Sequence, residues 1–407
     1  MLALQGLKVI DLSRALSGPF CSMALADLGA DVIKVEPGPS GDMSRNWGPF
    51  DRDISVYYLS CNRNKRSLCV DFHNPDGLAA VRHLIDDAAI VIENFKPGTM
   101  ESMGLGYDAL SARNPRLIMG SISAYGRGGP MGTWPGFDQI AQGYSGLMSL
   151  TGADGGDPTR TGTAIGDLSS GMWLAMAIIA ALLERERSGK GQHVHTSLLA
   201  SLVGLLSVHG QRYLSLGEVP QRTGNSHAVI APYGVFQTAN GPLNLAPITP
   251  DMWRRLCQLL DLAELLDDPR FATNEQRVHH RDELNRILDL RLKTRDKQEW
   301  IALFVEAGLP AGPIHSLDEV FDDMQVHHCS LVETVEHPVL GPLRQVTTPI
   351  STSATEGDKS PASRYAPPGL GEHTREILLE AGFSLSEVKA LLTSKAIYQN
   401  EKAEATQ

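Results

Sequence analysis

The chain has 407 residues, 42% hydrophobic and 20% charged, enough apolar material for two domains or one large domain with an insertion. Its formal net charge of −11 argues against nucleic acid or an anionic membrane as a bulk partner, and leaves room for a local basic pocket. The five cysteines, Cys21, Cys61, Cys69, Cys257 and Cys329, form no CxxC pair, which speaks against a disulfide framework or a zinc ribbon.

The N-terminal stretch has neither the basic start nor the long apolar core of a signal peptide, so a reducing, cytoplasmic setting is expected. Leu7–Leu12 reads as a strand, and Pro19 opens a helix through Met23, Leu25 and Leu28 that Gly29 ends. Asp31–Glu36 and Ser67–Phe72 read as the second and third strands. Asn74 and Pro75 start a helix through Ala79, Val81, Leu84 and Ile85. Ala89–Phe95 and Leu117–Ile122 follow as the fourth and fifth strands. This alternation predicts an α/β fold with a parallel sheet covered on both faces, and ligands on such sheets gather at the carboxyl ends of strands.

The middle reads as helices over Phe137–Leu150, Leu168–Arg187 and Leu198–Leu216. Their apolar runs, Met172–Leu183 and Leu198–Val208, are too short to span a bilayer and predict buried helices. A hairpin with an Asn240-Gly241 turn follows. Two amphipathic helices come next, one with Trp253, Leu256, Leu259 and Leu260 on a face, the other with Leu284, Ile287, Leu288 and Leu290. Leu331–Val346 is β-like with a turn at Leu340-Gly341, Ser351–Pro368 has the composition of a surface linker, and two short helices precede a polar tail from Asn400.

Asp167 stands in Thr163-Ala-Ile-Gly-Asp167-Leu-Ser-Ser-Gly171, at the mouth of an apolar helix. By base rates such a residue is a helix cap. A carboxylate there is also held ionised by free amides and the helix dipole, as a nucleophile requires, and Gly166 leaves room for a substrate to approach the backbone. The basic run Asn62-Arg63-Asn-Lys65-Arg66 is either a solvated turn or a phosphate contact. Tyr125–Gly132 is glycine-rich but matches neither a Walker loop nor GxGxxG, and its Arg127 suits a carboxylate grip. His193 and His195 share one face of a possible strand, and His327-His328-Cys329 is compact. Neither set has further ligands at standard spacing, so no metal site is expected.

Leu7–Pro19, Leu28–Glu36 with Gly41-Asp42, Asn64–Ser67, Glu93-Asn-Phe-Lys-Pro-Gly98, Gly166-Asp167, Pro232-Tyr233 and Leu370–Thr374 occur in an order that resembles the class III CoA-transferases, the family of formyl-CoA transferase. The resemblance runs from about Leu4 to Leu392 and is nearest to the family's succinyl-CoA-dependent dicarboxylate transferases. It implies a large Rossmann-like domain built from both ends of the chain, a smaller inserted α+β domain, and an interlocked homodimer. With the element order, residues 1–220 and 331–400 belong to the large domain, 221–330 to the small one and 401–407 to a tail.

The resemblance puts the family's nucleophile on Asp167 and its CoA contacts on Ala15, Ser17, Val70, Asn94, Phe95 and Met103. The implied reaction moves CoA from an acyl-CoA donor, succinyl-CoA by the nearest likeness, to a dicarboxylic acid of the glutarate, itaconate or citramalate type. It passes through aspartyl anhydride and aspartyl-CoA thioester intermediates, with CoA thioesters as substrates and no bound cofactor. Formyl-CoA transferase has glutamine where this chain has Leu16 and basic residues where it has Pro37, His73 and Pro135, which argues against formyl or oxalyl specificity. Arg63, Lys65 and Arg66 are therefore candidates for the CoA phosphates, and Arg45, Arg127, Arg160 and His227 for a remote carboxylate. Racemases of the fold carry Gly-His-Asp where this chain has Gly136-Phe137-Asp138, which disfavours racemisation. The remaining alternative is a CoA-binding protein without catalysis, with Asp167 as a cap.

Overall fold

Six parallel strands run side by side in the order Lys65–Val70, Asp31–Pro37, Lys8–Asp11, Ile90–Glu93, Ile118–Ser123 and His193–Ser197. This is the computed structural model of the chain, and it describes residues 2–351, 353 and 362–400. The order runs outward from Lys8–Asp11 in one direction and then restarts on its other side with Ile90–Glu93. That pair is the topological switch point, where open α/β sheets form their ligand crevice. Ile397–Tyr398 adds a short antiparallel edge against Lys65–Val70.

Strand periodicity divides the core into two layers. Val9, Val32, Ile90, Ile92 and Ile118 pack with Leu25 of the helix Ser17–Asp27 and with Leu174 and Ile178 of the helix Ile165–Ser188. Ile10, Ile33, Val35, Val91 and Met119 pack with Val81 and Leu84 of Pro75–Asp86 and with Ile377 and Leu378 of Thr374–Glu380. The helix Ile165–Ser188 comes unusually near its neighbours. A Cβ on Gly171 would lie 2.7 Å from the Ser17 carbonyl oxygen, so only glycine lets the two helices touch there.

That helix has 24 residues, long and apolar enough by those measures to cross a membrane, and half of its apolar window is packed inside the protein. Its expected burial holds on one side only, since Met172, Trp173, Met176 and Leu183 are exposed. The expected single helix from Leu198 is two, Leu198–Leu205 and Ser207–Leu216, because Ser207 takes a left-handed φ of 44°. Phe137–Leu150 likewise divides into Asp138–Tyr144 and Leu147–Leu150. The third strand begins at Lys65 rather than Ser67, which draws the basic run into the sheet.

The chain separates into two compact units, residues 1–147, 160–217 and 324–407 in the first and 148–159 and 218–323 in the second. The second unit thus takes in 148–159, which the sequence places in the large domain. It holds a three-stranded antiparallel sheet, Ala311–Pro313, Gly241–Leu245 and Gly234–Thr238, covered by helices. Phe236, Leu243, Trp253, Leu256, Leu284, Leu288, Trp300 and Phe304 form its core. Leu290, expected on the apolar face of its helix, is exposed. The hairpin Val332–His337 with Gly341–Val346 belongs to the first unit. Part of the expected linker and the tail 401–407 lie outside the described residues. The end of that linker is held in place, with Arg364 Nη2 donating to the carbonyls of Ala26 at 2.9 Å and Ala30 at 2.8 Å.

Candidate active site

The loop after Lys8–Asp11 and the loop after Ile90–Glu93 face one another across the switch point. Asn94 fastens them together: its Oδ1 accepts the Arg14 N–H at 2.8 Å and its Nδ2 donates to the Arg14 carbonyl at 2.8 Å and to Ser17 Oγ at 3.2 Å. Ala15 takes a φ of 62°, which an L-residue adopts only when held. Buried groups supply the hold. The Ala15 N–H donates to Asp42 Oδ1 at 3.0 Å, Asp42 Oδ2 pairs with Lys34 Nζ at 2.8 Å, and Lys34 Nζ also donates to the Ser13 carbonyl at 3.0 Å.

These loops wall a cavity of about 490 Å³ into which Asp167 opens. Ala15, Ser17, Asn94 and Phe95 line it together with Asp167 and Arg160. Trp47, Tyr57, Trp134 and Phe137 supply its apolar surface, and no histidine is among its lining residues. A second cavity contains Met103, Phe72, Pro37 and His73 in its wall and shares Arg14 and Met43 with the first. Val70 is fully buried at the end of its strand and lines neither cavity. Among the described residues, no group of three His, Cys, Asp or Glu side chains is arranged to hold a metal ion.

Asp167 is not a cap. The helix starts at Ile165, which puts Asp167 in its first turn, and the residue before the helix is Ala164. The cap comes from elsewhere: Asp138 Oδ1 accepts the Gly166 N–H at 2.7 Å and the Asp167 N–H at 3.3 Å. Asp138 is itself held by Gln142 Nε2, which donates to Oδ2 at 2.6 Å. The space beside Gly166 therefore serves Asp138 rather than a substrate, since a Cβ there would sit 2.8 Å from Asp138 Oδ1.

The expectation that free amides keep Asp167 ionised is likewise corrected. Its own N–H and that of Gly166 are taken by Asp138, and burial followed by the Asp138 charge pushes Asp167 up to about 7. Burial and the nearby Asp167 charge push the Tyr57 phenol up to about 12, so its hydroxyl remains a hydrogen-bond donor near the carboxylate. Because the folded value of Asp167 lies above the unfolded one, its contribution to stability is full below the ordinary carboxylate range and is lost as pH rises through about 7.

A nucleophilic Asp167 then predicts an acid limb in kcat/KM with its midpoint near pH 7, falling tenfold per pH unit below it. Asp138→Asn keeps an oxygen for the Gly166 N–H and removes the like charge, so the limb should move to lower pH. Initial rates from about pH 5 to about pH 9 check this, and an unmoved limb would show that Asp138 does not tune Asp167.

The basic run is neither a solvated turn nor a wall of either cavity. Arg63 forks onto Asp27 at 3.1 and 2.6 Å, Lys65 Nζ lies 3.1 Å from Asp11 Oδ2, and Arg66 bridges Asp31, Glu376 and Glu380 at 2.7 to 2.8 Å. All three are buried and already paired, Arg63 and Lys65 with buried carboxylates and Arg66 with three carboxylates at the surface, so none is free for a phosphate. Arg45 is spent in the same way, on Glu36 at 2.7 Å and stacked 3.7 Å from the Tyr58 ring centre. Arg127 pairs with Glu101 at 3.2 Å and lines a small neighbouring cavity. His227 belongs to the second unit, where it stacks on Tyr233. Of the four residues proposed for a remote carboxylate, Arg160 alone lines the Asp167 cavity. Arg14 and Lys96, which also line it, stand inside the quoted motifs but were not singled out from sequence.

The model of the family described as CoA-transferase family III matches residues 4–374. Succinyl-CoA:glutarate CoA-transferase of Mus musculus is 40% identical over 98% of this chain and 92% of its own length. Succinate–glutarate CoA-transferase of Agrobacterium fabrum is 40% identical over 93% of this chain and 95% of its own. The crystal structure of a CAIB/BAIF family protein from Brucella suis superposes with a TM-score of 0.83 at 38% identity, covering 93% of this chain and 99% of that one. On these matches the chain belongs to CoA-transferase family III and is a CoA-transferase.

Proposed function

We propose that the enzyme transfers CoA from succinyl-CoA to a second dicarboxylic acid, with Asp167 as the covalent nucleophile. The observation that carries the reading is that Asp167 opens on a cavity at the switch point walled by Ala15, Ser17, Asn94 and Phe95, with Arg160 in the same wall. The wall combines neutral polar groups, Ser17, Asn94 and Tyr57, with the cations Arg14, Lys96 and Arg160. Arg14, shared by both cavities, supplies a cation on the way to the second, where the phosphate-bearing part of CoA would lie.

Asp167 attacks the donor carbonyl, forms a mixed anhydride and expels CoA thiolate. The thiolate attacks the aspartyl carbonyl, releases succinate and leaves an aspartyl-CoA thioester. The acceptor carboxylate attacks that thioester and frees the thiolate, which then attacks the acceptor carbonyl of the new anhydride and regenerates Asp167. Each step exchanges one activated acyl group for another, so no cofactor is consumed. The half-buried Trp47 and Tyr57 limit water around the anhydrides. Arg160 pairs with the remote carboxylate of the acceptor.

Pro37 and His73 line the second cavity and Pro135 the first, which supports a site unlike that of formyl-CoA transferase. With Phe137 in the wall and no imidazole beside Asp167, the cavity lacks the second acid–base group that racemisation needs. The exposed apolar side of Ile165–Ser188, with Val203, Val208 and Leu214 beyond it, supports a homodimer in which a second copy covers these residues. Chromatography of CoA esters after incubation with succinyl-CoA and a panel of acids tests the substrate class. C4 to C6 dicarboxylates such as glutarate, itaconate and citramalate are expected to take up CoA, and preference for monocarboxylic acceptors would refute the reading.

A further inference from the structure

The mechanism gives Asp42 nothing to do, although a carboxylate buried beside a buried ammonium is costly unless its oxygens are used. Its side chain is fully buried and lines neither cavity, so it does not reach a bound CoA. Burial raises Asp42 and Lys34 more than offsets it, which holds the carboxyl down to about 2 and leaves both oxygens as acceptors.

Each oxygen has its own task. Oδ1 accepts the Ala15 N–H at 3.0 Å and the Ser44 N–H at 2.9 Å. Oδ2 is ion-paired with Lys34 Nζ at 2.8 Å, and Lys34 Nζ donates to the Ser13 carbonyl at 3.0 Å. Asp42 is itself anchored, since its own N–H donates to Glu36 Oε2 at 3.0 Å. The pair thus grips Ser13 and Ala15, on either side of Arg14, whose N–H and carbonyl are both taken by Asn94. Between these grips Ala15 keeps its φ of 62°. For alanine the left-handed conformation is disfavoured by about 5- to 30-fold. A chain released at Ala15 would relax and carry Arg14 and Ser17, its neighbours in the cavity wall, to new places.

We infer that Asp42 is a positioning residue for CoA: it keeps Ala15 left-handed, so that the wall of Arg14, Ala15 and Ser17 is set before the ligand arrives. The inference rests on the CoA-site reading above. Without the hold, the competent wall is a minor population, and the apparent dissociation constant for CoA rises by the inverse of that fraction.

A double-mutant cycle between positions 15 and 42 tests this, read by calorimetric binding of CoA to the full-length protein. Asp42→Asn is nearly isosteric but has one oxygen for two tasks, so its NH2 group must face either Lys34 or the Ala15 and Ser44 N–H groups. It is expected to weaken CoA binding by about 5- to 30-fold. Glycine takes a φ of this sign without penalty. Ala15→Gly alone should therefore stay within about threefold of wild type, and Asp42→Asn made in that background should cost less than about threefold. In turnover the loss is expected in KM for the acyl-CoA, with kcat kept. Asp42→Ser serves if Asp42→Asn does not fold: it still caps Ser44 and withdraws the acceptor from Ala15. An equal loss in the alanine and glycine backgrounds overturns the inference, because a merely structural Asp42 would weaken both alike. Unchanged CoA affinity in Asp42→Asn overturns it as well. Arg14→Met separates the two readings, since Arg14 lines both cavities itself. If Arg14→Met also binds CoA normally, the CoA-site reading falls and the inference with it. If Arg14→Met alone loses affinity, the CoA site stands and the role of Asp42 is refuted.

Discussion

Asparagine at position 167 is expected to lower kcat for CoA transfer by at least about 10³-fold while the fold persists. An amide has no nucleophilic oxygen to form the anhydride, and it fills the same space. The helix keeps its cap, because Asp138 rather than Asp167 accepts the first-turn N–H groups. The substitution also removes a half-buried carboxylate held next to another one, and that pairing is unfavourable once pH exceeds about 7. Asp167→Asn should therefore melt at or above the wild-type temperature near pH 8, so that activity and stability move in opposite directions. Initial rates from CoA-ester chromatography and thermal melts measured together check both halves. Turnover above about a tenth of wild type would place the nucleophile elsewhere.

The second large effect is expected at Arg160. A charge-assisted hydrogen-bonded pair contributes roughly 1.5–3 kcal/mol, which corresponds to about 10- to 150-fold in affinity. Arg160→Met should therefore raise KM for a dicarboxylic acceptor by about that factor and leave a monocarboxylic acid of equal chain length unaffected. KM for both acids in the two proteins is the measurement. A parallel rise for both would mean that Arg160 shapes the cavity without binding the remote carboxylate. Arg45, by contrast, is committed to Glu36 and Tyr58, so its loss should appear in stability.

Local patterns carried most of the fold. Apolar alternation in Asp31–Glu36 and the Asn74-Pro75 start of a helix act within a few residues, and both elements lie where the pattern puts them. The basic run was illegible for the opposite reason. Arg63, Lys65 and Arg66 find Asp27, Asp11, Asp31 and Glu376, which are brought to them only by the parallel sheet and the returning C-terminal segment.

The same distance hid the cap of Asp167's helix. Sequence rules look for a cap at the residue before a helix, whereas Asp138 arrives from another helix altogether. Arg160 could not be told from Arg45, Arg127 and His227 on chemistry, since any cation can grip a carboxylate, and only the three-dimensional path selects among them.

The late edge strand Ile397–Tyr398 has a consequence for synthesis on the ribosome. It pairs with Cys69 and Val70, and Arg66 on the same strand draws two of its partners from Glu376 and Glu380. While the chain is emerging, Lys65–Val70 is a strand with an open side, exposing Leu68, Cys69 and Val70, and with an arginine short of two of its counter-ions. The interval between translating residue 70 and residue 398 is thus the window in which a nascent chain is most adhesive, and shielding by a chaperone would matter most there.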